Sequence, residues 1–226
     1  MFMEILEILL KAWTGQPFSH QGKYYAVPEG IAVRPMPLQQ PHPPLWFPAV
    51  SPKTIEWVVK MGSRLMTATT GALGINDLVG MRETFNQLID KAGRRTQDAE
   101  FYIHVPMHVT EKSFAEIEAG VGGACRRFGE AATSGGTVYL QPSTGPQGPL
   151  SPGPGFSFEE YFENHAIMGT PQFCVDKIAN WWERLHFTHL TCMFNFGLPH
   201  TLVMENMERF ARSVMPIIRD LDTRAW

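Results

Sequence analysis

From Met1 to Trp13 the apolar residues Phe2, Ile5, Leu6, Leu9, Leu10 and Trp13 recur three and four apart, with Glu4, Glu7 and Lys11 between them. That is one apolar stripe on a helix, which Gly15 and then Pro17 end. Residues 18–44 break into short β-prone pieces, Lys23–Val27 and Ile31–Val33, separated by Gly22, Pro28 and Gly30. From Leu45 onward a rhythm sets in. The pattern predicts strands over Leu45–Val50, Arg64–Thr69, Phe101–Val109 and His189–Phe194. It predicts helices over Lys53–Met61, Asn76–Lys91, Lys112–Phe128, Pro171–Leu185 and Thr201–Leu221. Strands alternating with helices mean βα units on a parallel sheet, so the fold class is α/β.

Two stretches interrupt the rhythm. Eight of the 18 prolines lie between Pro28 and Pro52, and the run Arg34–Pro44 is held extended by them. It reads as a rigid connector into the next strand, or as a polyproline ligand for an SH3-type partner. Gly129–Phe156 carries five prolines, several glycines and a short β-prone run at Thr137–Leu140. An insertion of that length in an α/β domain is expected to be a lid or a disordered segment.

At 226 residues with 44% hydrophobic and 18% charged positions, the chain can bury a sizeable core and is no candidate for wholesale disorder. The net charge of −3, without a basic run, removes nucleic acid as a partner. Cys125, Cys174 and Cys192 form neither a disulfide framework nor a CxxC pair, and are expected as buried thiols in a reducing cytoplasm. No apolar run approaches the ~18 residues of a membrane span. Glu4 and Glu7 interrupt the N-terminal stripe, so it is not expected to be a signal peptide.

Ligands of parallel α/β folds bind at the carboxyl ends of strands, here Val50-Ser51, Thr67–Gly71, Val109-Thr110 and Phe194–Gly197. Ser51-Pro52-Lys53-Thr54 offers a hydroxyl N-cap, a proline at the first helical position and a second hydroxyl at the third. Such a turn suits a phosphate, or is an ordinary cap that binds nothing. Thr67 and Thr69 end their strand with small polar groups beside Gly71. His104 and His108, four apart on a strand, share a face but lack Asp, Glu or Cys companions at ligand spacing, so no metal site is expected. No GxGxxG, Walker or GxSxG motif is present.

Several segments together resemble the flavin-dependent luciferase-like monooxygenase family. They are Phe2–Trp13, Gly22-Lys-Tyr-Tyr25, Arg34–Trp46, Ala49–Trp57, Gly169-Thr-Pro171, Met193-Phe-Asn-Phe-Gly197 and Met207–Pro216. The resemblance implies a parallel (β/α)8 TIM barrel, of which this chain carries the C-terminal half, about four βα units in a single domain over residues 1–226. Residues 129–157 correspond to the lid-like insertion after the seventh strand.

The resemblance further implies an oxidoreductase acting on paired donors with O2, using reduced FMN or, in some branches, a deazaflavin. Its partners would be a small organic substrate and a flavin reductase that supplies reduced FMN, and the protein would be a homo-oligomer. Ser51 and Thr54 match the family's phosphate-binding Ser and Thr. Val50 stands where relatives have an acidic residue, and Thr67 and Thr69 fall where the sixth strand faces the active-site mouth. The family's histidine associated with oxygen chemistry belongs to the preceding half, so no catalytic residue is carried over. The alternative is a non-catalytic half-barrel that self-associates or docks a partner.

Overall fold

The computed structural model describes residues 1–69, 73–139 and 157–222 and divides the chain into two compact units, Met1–Leu45 and Trp46–Trp226. In the first unit the helix α1 (Phe2–Trp13) is followed by an antiparallel hairpin of β1 (Phe18–Gln21) and β2 (Ala26–Ile31). Glu4, although drawn from the polar positions of the stripe, points at the hairpin turn. Its carboxylate accepts the N–H groups of Tyr24 at 3.0 Å and Tyr25 at 2.7 Å. Gly15 ends α1 at φ +65°, and the Arg34 guanidinium donates to its carbonyl at 2.7 Å.

The second unit is a sheet with helices on its outer face. In chain order it contains β3 (Trp46–Pro48), α2 (Pro52–Lys60), β4 (Arg64–Ala68), α3 (Ile75–Lys91), β5 (Phe101–Val109) and α4 (Phe114–Tyr139). There follow α5 (Phe158–Asn164), β6 (Ile167–Gly169), α6 (Pro171–Leu185), β7 (His189–Met193), α7 (His200–Ser213) and α8 (Met215–Asp222). All the strand pairs are parallel: β3 with β4, β4 with β5, and β5 with both β6 and β7. Among the described residues β3 and β7 each pair on one side only, so the sheet is an open partial barrel.

Alternation along the strands separates two faces. Leu65, Phe101, Ile103 and Val105 turn outward into one core with Ile55 and Val58 of α2, Leu78 and Phe85 of α3, and Ile178 of α6. Fully burying such a side chain contributes roughly 1.5–3 kcal/mol, so this core is the main source of stability. The inner face carries Arg64 and Met66 of β4, and Tyr102, His104, Pro106 and His108 of β5. At its amino end the Trp46 ring packs 6.0 Å from Tyr102 and 4.7 Å from His189, and Glu100 pairs with Arg64. A second, smaller core lies at the carboxyl end of β5. It joins Ile117, Val121 and Cys125 of α4 to Phe158, Tyr161, Met168 and Phe196.

Several elements differ from the sequence expectation. The helix predicted to stop at Phe128 continues to Tyr139, so the first part of the expected insertion is helical and Thr137–Tyr139 is no strand. The remainder of that insertion lies outside the described residues. The helix α5 and the strand β6 were not foreseen. The single helix expected over Thr201–Leu221 is broken at Val214, because Pro216 has no N–H to give the preceding turn and its ring would clash there. Cys125 and Cys174 are buried and Cys192 half-buried, all three free, and burial pushes each thiol up to about 12. No helix among the described residues is long and apolar enough to cross a membrane.

Candidate active site at the carboxyl end of the sheet

The loop from β3 into α2 is built by local rules. Ser51 is extended at φ −94°, ψ 146°, and its hydroxyl accepts the Thr54 N–H at 3.2 Å, while Pro52 opens the helix with its fixed φ. Ile55, Val58 and Val59 anchor α2 on the core, and this fixes the direction of its first turn. The Ser51 and Thr54 hydroxyls lie 2.9 Å apart, bonded to each other at the surface. No acidic residue stands in that first turn, where the helix dipole is positive, and Lys53 is exposed within it. The arrangement fits an anion: two hydroxyls, a free Lys53 N–H and no opposing carboxylate. Val50 is half-buried and packs against the main core, contributing shape and no polar contact.

Thr67 and Thr69 behave differently. Both are buried on the face of Leu65, toward the helices, because they share its parity along β4. Thr67 Oγ1 donates to the Tyr102 carbonyl at 2.9 Å, and Thr69 gives both its N–H (2.9 Å) and its hydroxyl (3.4 Å) to the His104 carbonyl. They lace β4 to β5. The structure thus brings Ser51 and Thr54 together and does not present the Thr67 and Thr69 hydroxyls at the mouth. Met66 and Ala68 hold the inward positions on that strand.

The carboxyl end of β5 is held from two sides. β4 ends beside His104 and β6 begins beside Met107. Pro106 falls in the gap between them, so its missing N–H costs no ladder bond. On the opposite edge β7 ends at Met193, and a side chain takes over from its backbone. Asn206, fully buried on α7, accepts the Val109 N–H at 2.6 Å and donates to the Met107 carbonyl at 2.9 Å. Arg209, one turn along, donates to the Val109 carbonyl at 2.7 Å. His108 faces inward there, 3% exposed, with no hydrogen-bond partner for Nδ1. Burial holds its imidazole down at about 4, reinforced by the charges of Arg209 and Lys112. His104 is lowered as well, by burial alone. Neither Asn206 nor Arg209 was singled out from sequence; their partners lie about a hundred residues away.

The turn from β6 into α6 repeats the cap of α2. Thr170 accepts the Phe173 N–H at 3.3 Å and Pro171 opens α6, while Gly169 adopts φ +148°. A Cβ on Gly169 would sit 2.8 Å from the Phe173 ring, so only glycine fits.

With this geometry in view, the luciferase-like monooxygenase family model matches residues 1–189, most of the chain and both of its units. The chain belongs to that family. Among family relatives, the oxygenase component of a flavin-dependent trigonelline monooxygenase from Acinetobacter baylyi is 23% identical over 220 residues, covering 94% of this chain and 58% of the relative. The same fold is seen in the oxygenating constituent of 3,6-diketocamphane monooxygenase from Pseudomonas putida, solved with FMN. It aligns at TM-score 0.65 and 16% identity over 95% of this chain and 62% of that one. An F420-dependent secondary alcohol dehydrogenase, solved with an F420–acetone adduct, aligns at TM-score 0.64 and 14% identity, covering 95% of this chain and 60% of that one. This luciferase-like chain therefore spans about three fifths of the length of these relatives. They are a flavin-dependent monooxygenase, an FMN complex and a deazaflavin-dependent dehydrogenase, so flavin or deazaflavin binding is the common ground.

Proposed function

We propose that the protein is an FMN-dependent monooxygenase of this family, or the cofactor-binding part of one, acting on a small organic substrate. The observation that carries the reading is the Ser51–Thr54 cap, two surface hydroxyls 2.9 Å apart on a helix N-terminus at the carboxyl end of a parallel strand. There they would turn from each other toward the cofactor's phosphate, joined by the Lys53 N–H and the dipole of α2. Val50 would pack beside the ring system without a charge. Thr67 and Thr69 would serve indirectly, holding the floor of the site by fixing β4 to β5. The inward residues Met66, His104 and Pro106 would wall it from water. When bound, reduced FMN supplies the chemistry with O2, while the protein orients the reactants.

That the Acinetobacter relative is named an oxygenase component supports a separate flavin reductase as the source of reduced cofactor. The F420-dependent neighbour supports a deazaflavin as the alternative cofactor. The full chain is titrated with FMN and with a deazaflavin side by side, following flavin fluorescence. Preferential FMN binding supports the proposal, and preference for the deazaflavin replaces the monooxygenase with a hydride-transferring enzyme.

The sides of β3 and β7 that meet no strand among the described residues favour a second reading, a non-catalytic half-barrel that self-associates. Light scattering on the purified chain separates the two, because a stable monomer is incompatible with it.

A further inference from the structure

We propose that Lys177 is an acylation site, its amine taking the acyl group of a small acyl thioester that enters the cavity between α3, α5 and α6. That cavity measures about 380 Å³, and Lys177, Glu163, Phe173, Asp176, Trp181 and Arg184 are among the residues that line it. The Lys177 Nζ lies 5.0, 5.5 and 5.6 Å from the ring centroids of Phe162, Phe173 and Trp181, and donates to the Phe162 carbonyl at 2.5 Å. An ammonium faced by three rings is short of the water that stabilises its charge. Burial holds it down at about 8, outweighing the attraction of Glu163 and the lesser one of the Cys174 thiol. The other charged groups on the cavity are engaged: Asp176 accepts from the Gln172 amide at 2.8 Å, and Arg184 donates to Asn76 at 2.6 Å. Lys11 and Lys60 show the contrast, each at the surface and 2.8 Å from a glutamate one turn back. The site is independent of the flavin reading, because it sits among the helices outside the sheet.

The surroundings of the nitrogen select the reaction. The neutral amine attacks the thioester carbonyl carbon, the C–N bond forms, the C–S bond breaks, and the thiolate leaves with the proton that the nitrogen gives up. The resulting amide carries no charge and keeps one N–H for the Phe162 carbonyl. Acylation thus removes the charge that burial opposes and retains the hydrogen bond. An aldehyde serves less well, because a neutral imine has no N–H to give that carbonyl. Once Lys177 is neutral, the walls hold the carboxylates of Glu163 and Asp176 against the one guanidinium of Arg184. An uncharged short acyl group is therefore favoured over one that ends in a carboxylate.

The test treats the folded full chain, without flavin, with the small thioester S-acetyl-N-acetylcysteamine over a range of pH. The acetylation rate of each lysine is read by peptide mass spectrometry. At pH 7.5 a group that titrates near 8 is about one-quarter neutral, against about one part in a thousand for an ordinary lysine. Lys177 is expected to acetylate at least about tenfold faster than Lys60 there, the rest of the gain being offset by its lower basicity and narrower access. Its rate should level off above about pH 9, while that of Lys60 still climbs about tenfold per pH unit. Glu163→Gln, a change at an exposed position, removes the attraction that favours the charged amine and should speed Lys177 at pH 7.5 while leaving Lys60 as it was. A Lys177 rate no higher than that of Lys60, a profile still climbing tenfold per unit above pH 9, or a Glu163→Gln variant no faster than wild type each overturns the inference. Because no flavin is present, none of these outcomes bears on the proposed function.

Discussion

Asn206 and Val109, 97 residues apart in sequence, are joined by a 2.6 Å hydrogen bond that ends the central strand. The Asn206 amide substitutes for a stretch of β7 that does not exist, satisfying one N–H and one C=O on the open edge of β5. Replacing it with Leu would leave both backbone groups buried and unpaired. The expected loss is about 2–6 kcal/mol, from an unpaired cost of roughly 1–3 kcal/mol for each of the two groups. Urea denaturation would show it, and a loss below 1 kcal/mol would mean that water reaches this edge.

Gly169→Ala tests the turn from β6 into α6. The φ of +148° is open almost only to glycine, and the added Cβ meets the Phe173 ring at 2.8 Å. A destabilisation of about 1–3 kcal/mol is expected, measured as a lowered thermal midpoint. An unchanged midpoint would show that the turn relaxes freely.

His108 predicts a pH dependence. Its imidazole is held at about 4 against an ordinary 6.5. Between those values the unfolded chain binds the extra proton, so the stability contribution is complete above about pH 6.5 and is lost as pH falls toward 4. The gap corresponds to roughly 3 kcal/mol in all, about 2 kcal/mol of it between pH 7 and pH 5. His104 acts in the same direction. Stability measured at both pH values on wild type and His108→Gln should show the wild type losing more. Equal losses would remove His108 as the cause.

How far the sequence is readable depends on the range of the forces involved. The helices α1, α2 and α6 are legible because their apolar residues recur every three or four positions, although in α1 only Leu6 of them is buried, and α2 and α6 also carry a hydroxyl cap followed by proline. The cap geometry of Ser51 was legible for the same local reason. The strand β6 was not, since three residues flanked by an aromatic helix carry no periodicity. The end of α4 was missed because Gly135, Gly136, Thr137 and Val138 all have low helix propensity, and local composition there points away from a helix. The inward placement of Met66 in place of Thr67 follows from which face of β4 the helices cover. The site's long-range parts, Asn206 and Arg209 of α7 bonded to β5, exist only once the fold does.

The measurement closest to the central claim is FMN dissociation from wild type and from the double variant Ser51→Ala, Thr54→Ala, taken with the thermal midpoint of each. Hydrogen bonds to charged groups contribute roughly 1.5–3 kcal/mol each, so loss of both hydroxyls should weaken FMN at least about tenfold. Loss of the Ser51 cap should lower stability by only about 1 kcal/mol. Weakened FMN binding by a folded variant is the predicted result. Unchanged FMN affinity beside a lowered midpoint would contradict the account and leave Ser51 and Thr54 as a helix cap.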